Sequence, residues 1–188
     1  MPINDVTCGS TTGAQLATIT NAIKNLAESS TKTYWFYPAD SATAATPITH
    51  GAGSTTTFLT NNALGGRTTS YNPNSNSNLW NASTNKFDFS SLKIGDIVEF
   101  RVDLLVDHAA AQELNVVIDV AEGGIAPYSL NVNHAYYKTA STNVPITAMF
   151  RLYIGNDDTK DNSARFRLTS LAAASVVVEG WLVQVTSV

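Results

Sequence analysis

The chain has 188 residues, enough for one domain with a full core and an arm. Hydrophobic residues make up 44% of it but charged residues only 14%, against about 25% in ordinary globular domains. Net charge is -4, and the 11 Lys and Arg form no basic stripe, so binding driven by phosphate neutralisation is excluded as a main activity.

No apolar run approaches the length of a membrane helix. Met1–Asp5 carries neither the basic nor the apolar region of a secretory signal. The single cysteine, Cys8, allows no intrachain disulfide and has no base signalled nearby, as expected for a chain folded in a reducing cytoplasm.

Residues 1–12 read as an arm. Thr12 and Gln15 fit a capping box. Leu16, Ile19, Ile23 and Leu26 then fall on one helical stripe, and the helix is expected to end near Glu28–Ser30. A helix of this length is not stable alone, so the stripe must pack on the rest of the chain or on another subunit.

Residues 31–188 read as a second, β-rich unit. Tyr34–Tyr37 is an aromatic strand stopped by Pro38. Residues 41–85 are rich in Thr, Ser, Asn and Gly, with short strands expected around Thr46–Thr49 and Thr56–Thr60. The tract Tyr71–Asn78 reads as a polar loop, after which Leu79–Trp80 and Phe87–Phe89 return to the core.

The second half alternates apolar and polar residues with period two, the mark of strands with one buried face. Strands are expected at Ile97–Val106, Leu114–Val120, Tyr128–Val132, Tyr136–Lys138, Ile146–Ile154, Arg165–Leu168 and Ser175–Val183. Glu122–Gly124 and Gly155–Asp158 carry turn chemistry. The expected fold is an antiparallel jelly-roll β-sandwich with a short N-terminal helix and arm.

Read as unbroken alternation, the last strand is apolar on both faces. Val176, Val178 and Leu182 fall on one, Val177, Trp181 and Val183 on the other. Val117, Met149 and Tyr153 also fall on nominally outer faces. An interface through Leu16, Ile19, Ile23, Leu26, Val177, Trp181 and Val183, with another subunit or a capsid, is the expectation.

Nothing in the sequence signals catalysis. There is no nucleophile elbow or phosphate loop, and Gly51–Ser54 reads as a plain loop. His50, His108 and His134 lack metal-ligand spacing and read as loop or edge residues. Asn156–Asn162 is acidic but lacks the glycine and terminal Glu of a calcium loop, so a solvated hairpin is expected. Glu99 and Asp103 share a strand face and are expected to be solvated or paired with Arg101 rather than to act as a glycosidase pair. Trp80, Trp181 and Tyr34–Tyr37 are the aromatics from which a sugar-stacking platform could be built. No cofactor is expected.

Leu79–Asp96, Phe150–Thr159 and Val176–Trp181 together resemble virion structural proteins of tailed bacteriophages that carry a trimer-forming jelly roll. The resemblance spans roughly residues 79–183 and brings no shared active site. It implies a homotrimer on the virion, at the capsid surface, made in the host bacterial cytoplasm. The role it implies first is a capsid decoration (cement) protein that binds the major capsid protein lattice, with neither nucleic acid nor membrane as partner. The alternative it leaves is a head-fibre or tail-tip module recognising host surface glycans.

Overall fold

The computed structural model describes residues 13–29, 32–53, 56–73 and 75–188. The expected arm, 1–12, and the capping residue Thr12 lie outside them. The chain divides into two compact units, one ending at Thr31 and the other running from Lys32 to Ser187. The first holds helix α1 (Gly13–Ser29), whose described side chains Leu16, Ile19 and Ile23 stand exposed.

The second unit is a β-sandwich of two antiparallel sheets. One sheet runs β10 (Ser141–Tyr153), β7 (Ile97–His108), β12 (Ala174–Ser187), β1 (Lys32–Tyr37) and β4 (Thr69–Tyr71), with β2 (Ile48–His50) also on β12. The other runs β5 (Trp80–Asn81), β6 (Lys86–Phe87), β11 (Ser163–Ser170), β8 (Gln112–Glu122) and β9 (Tyr128–Tyr137), with β3 (Thr57–Phe58) also on β11. Strand pairs include β1–β12, β6–β11, β7–β10, β8–β9, β7–β12 and β8–β11.

Alternation fixes the core. Val98, Phe100, Val102, Leu104 and Val106 of β7 are buried, as are Ile146, Ala148 and Leu152 of β10. Between the sheets lies an aromatic cluster. Trp80 meets Trp181 edge-on at 4.5 Å, and Phe87 meets Phe100 at 5.1 Å and Phe166 at 5.4 Å. Edge-to-face contacts of this kind add to the stabilisation that burial alone gives.

The last strand departs from the simple alternation. Val178 pairs with Leu104, but Gly180 pairs with the next residue along, Asp103, so Glu179 is the extra residue of a β-bulge. The bulge shifts the phase. Val176 and Val178 before it, and Trp181, Val183 and Val185 after it, all point into the same core. Trp181 and Val183 are therefore core residues of their own domain and not part of an outer apolar face. Val177 and Leu182 take the outer face, half-buried.

The segment after β1 satisfies the bulged backbone. Asp40 N donates to Glu179 O (3.1 Å), and Ala39 bridges Gly180. The buried Thr43 hydroxyl accepts from Val178 N (2.8 Å) and donates to Val178 O (3.1 Å). These groups fill the gap on β12 between its pairings with β2 and β1, so few polar backbone groups are left stranded.

Three further expectations are corrected. Tyr128–Val132 and Tyr136–Lys138 are one strand, β9, carried past a register shift near Val132. Asn156–Asn162 is not a hairpin loop but holds a short helix, α2 (Asp157–Asp161), whose N-cap Asn156 accepts from Thr159 N at 2.8 Å. Tyr71 belongs to β4, inside the tract read as a loop.

Candidate interaction surface

The outer face of the β7-containing sheet is built by the polar positions of the same alternation. Two ion pairs lie on it. Arg151 Nε lies 2.6 Å from Glu99, and Arg101 Nε lies 3.0 Å from Asp103. Glu99 and Asp103 are thus each committed to an arginine rather than to each other. The Tyr37 hydroxyl donates to Asp103 at 3.2 Å, its ring lying across β12 at Gly180. A residue with no side chain there lets the aromatic ring of β1 reach a carboxylate two strands away. Burial and the neighbouring Asp103 charge together raise the Tyr37 pKa.

Among these pairs the face carries exposed apolar side chains. Met149 and Tyr153 of β10 are 63% and 61% exposed. At the other side, Tyr71 of β4 is exposed and sits in register with the half-buried Trp35 of β1.

The outer face of the second sheet is more polar. Arg167 Nε reaches both oxygens of Asp119, at 2.9 and 2.7 Å. Glu122 is paired with Arg165 and, at 3.0 Å, with Lys86. His134 meets Asn115 Oδ1 at 2.6 Å.

His50, at the end of the edge strand β2, and His108, in β7 between two neighbouring strands, are both buried. Both converge on Ser170. His50 Nε2 donates to Ser170 O (2.8 Å), which leaves Nδ1 to accept from the Thr57 hydroxyl (2.8 Å). His108 Nδ1 donates to Ala110 O (2.6 Å), so Nε2 accepts from Ser170 Oγ (3.1 Å). These tautomers follow from the carbonyl partners, which can only accept. All four ring nitrogens are engaged, and together they tie β2, β3, β7 and β11. A cleft of about 490 Å³ opens beside them, lined by Thr49, Asp107, Ser141, Thr142 and Ser175 among others.

At the opposite end, Asp158 ties two loops. Its carboxylate accepts from Ile125 N (2.9 Å) and Ala126 N (2.8 Å). A Cβ on Gly124 would collide with that carboxylate. Among the described residues no group of three or more His, Cys, Asp or Glu side chains is placed to hold a metal ion.

Of the residues expected at an interface, Leu16, Ile19 and Ile23 are exposed, Val177 is half-buried on an outer face, and Trp181 and Val183 are in the core. The Leu26 side chain lies outside the described part. Trp80 is also buried, its Nε1 donating to Asn61 O at 3.0 Å, and Tyr34 and Phe36 face the core. No sugar platform can be built on them. Sequence reading missed the exposed Tyr128, Leu130 and Tyr136 of β9. Their signal was a 10-residue strand containing no Asp, Glu, Lys or Arg.

Neither a family model nor a curated protein matches this chain.

Proposed function

We propose that this chain is a non-enzymatic structural protein of a tailed-phage virion, a capsid decoration protein. It trimerises and binds the lattice of the major capsid protein. The observation that carries self-association is the apolar stripe of α1, where Leu16, Ile19 and Ile23 are exposed. Such a stripe on a 17-residue helix is stabilised by packing against other apolar surface, which sister copies supply.

The strand pairings support the jelly-roll reading. Taken in chain order, β1 and β6 to β12 pair first with last, second with seventh, third with sixth and fourth with fifth. A jelly roll, a long hairpin folded over itself, would pair in this way. The resemblance of residues 79–183 to phage virion proteins points in the same direction.

Decoration works by mass action. A trimer touching several capsid subunits gains from each weak contact and dissociates slowly, and it stabilises only the assembled shell. Burial of Trp80 favours this role over glycan recognition, because the tryptophan a receptor binder would present is used in the core. The glycan reading would draw instead on aromatics such as Trp35 and Tyr71, which are adjacent on β1 and β4.

Purified protein added to heads that lack it tests the proposal. The expected result is saturable binding, density at regular threefold positions by cryo-electron microscopy, and heads that resist heat better. Failure to bind heads, with binding to host cells that Tyr71→Ala abolishes, would favour the receptor reading.

A further inference from the structure

We propose that the open β9–β10 side of the sandwich is a subunit contact, and that it takes a second copy of this chain. The inference rests on the self-association reading above and adds a contact to the one made by the α1 stripe.

Both strands are sheet edges. Among the described residues β9 pairs only with β8 and β10 only with β7, so each presents one line of backbone groups with no strand beside it. Proteins ordinarily protect such edges with charges, prolines and bulges. Here Pro145 and the bulge between Ser141 and Val144 protect only the start of β10. Ile146–Tyr153 then runs in unbroken register with β7 and carries one charge, on Arg151, which is paired with Glu99.

Exposed apolar side chains line both edges, on different faces. Tyr128 and Leu130 lie opposite Val120 and Ile118, on the core-facing side of β8, yet remain 38% and 37% exposed because the sandwich is open along this side. Tyr136 stands exposed on the outer face of β9, and Met149 and Tyr153 on the outer face of β10. Half-buried Val144 and Phe150 face inward from β10, against the core.

Charge selects the occupant. Between Gly123 and Phe150 the only formally charged residue is Lys138. An acidic or basic partner would find almost nothing to pair with. A second copy places few like charges in opposition, and a charge-poor surface rich in Tyr and Met has the composition of an interface core.

The test is the mass of the full chain in solution by light scattering, across a dilution series. Wild type is expected above the 20.1 kDa of one chain. Met149→Glu with Tyr153→Glu, and separately Tyr136→Glu, should raise the dissociation constant at least 100-fold while circular dichroism is unchanged. Leu64→Glu, in an exposed loop away from both strands, should leave the mass as it is. Hydrogen exchange on wild type gives a second reading that needs no variant. Amides of residues 146–153 should lose protection on dilution. Oligomeric wild type, with variants of unchanged mass and exchange independent of concentration, would overturn the edge assignment alone. A wild type that is monomeric throughout would overturn the self-association reading, and this inference with it.

Discussion

Substituting Gly180 by Ala probes the element that sets the core of β12. Gly180 has φ +156°, a region that L side chains rarely adopt, and occupying it with Ala costs about 1–3 kcal/mol. The added Cβ would also stand 2.9 Å from Pro38 O and 2.9 Å from Tyr37 Cζ. The Tyr37 ring can swing away, at the expense of its bond to Asp103, worth about 1 kcal/mol. The carbonyl cannot easily move, because Asn61 Nδ2 holds it at 2.6 Å. The expected loss is therefore about 2–5 kcal/mol, a large part of the stability of a domain this size. Urea unfolding followed by tryptophan fluorescence measures it, and the melting temperature should fall by about 2–4 °C per kcal/mol. Gly51→Ala, where nothing lies within 4 Å of the new methyl, is the control and should be neutral. In a Tyr37→Ala background the Gly180→Ala cost should shrink, since one of the two collisions is gone. A Gly180→Ala protein within about 0.5 kcal/mol of wild type would mean that neither the backbone conformation nor the close contacts at Gly180 constrain the strand, because that is the scatter of ordinary surface changes.

Trp181→Phe should cost less than Trp80→Phe, because Trp181 Nε1 is buried without a hydrogen-bond partner while Trp80 Nε1 donates to Asn61 O. Paired denaturation curves check this, with about 1–3 kcal/mol expected for the Trp80 change, which leaves a buried carbonyl unpaired. Burial, reinforced by the Asp96 charge, pushes the Tyr34 hydroxyl up to about 12, so the folded protein holds this proton after the unfolded chain has released it near pH 10. Stability should be unaffected by this group below pH 10 and fall between pH 10 and 12, by at most about 2–3 kcal/mol. Tyr34→Phe should flatten that alkaline loss in a pH series of unfolding curves. Asp158→Ala should release the Ile125 and Ala126 amides, seen as faster hydrogen exchange at both, with about 1–2 kcal/mol of stability lost.

The local rules reached far into this chain. Period two along Ile97–Val106 and Ile146–Ile154 identified two long strands and the face each would bury, because strand geometry alone decides which side chains share a face. The 3-4-3 spacing of Leu16, Ile19, Ile23 and Leu26 identified the helix for the same reason. Leu79, Trp80, Phe87 and Phe89 were legible as core from their bulk and apolarity. Leu16, Ile19, Ile23 and Val177 of the expected interface were named by pattern, whereas β9 was missed because its inward face stays exposed for want of cover from the opposite sheet.

Periodicity was thus legible in the residue order: which segments are strand or helix, and their phase over any uninterrupted run. Where that phase breaks depends on contacts between segments far apart in the chain. At Glu179–Gly180 the extra residue is stabilised by Asp40 and Thr43, distant in sequence, which take up the backbone groups the bulge frees. Those partners turn Trp181 and Val183 inward, and no reading of β12 alone can find them. The histidines follow the same rule. His50 and His108 are polar residues at strand ends until Ser170, arriving from a third strand, gives both of them a partner and makes their burial affordable.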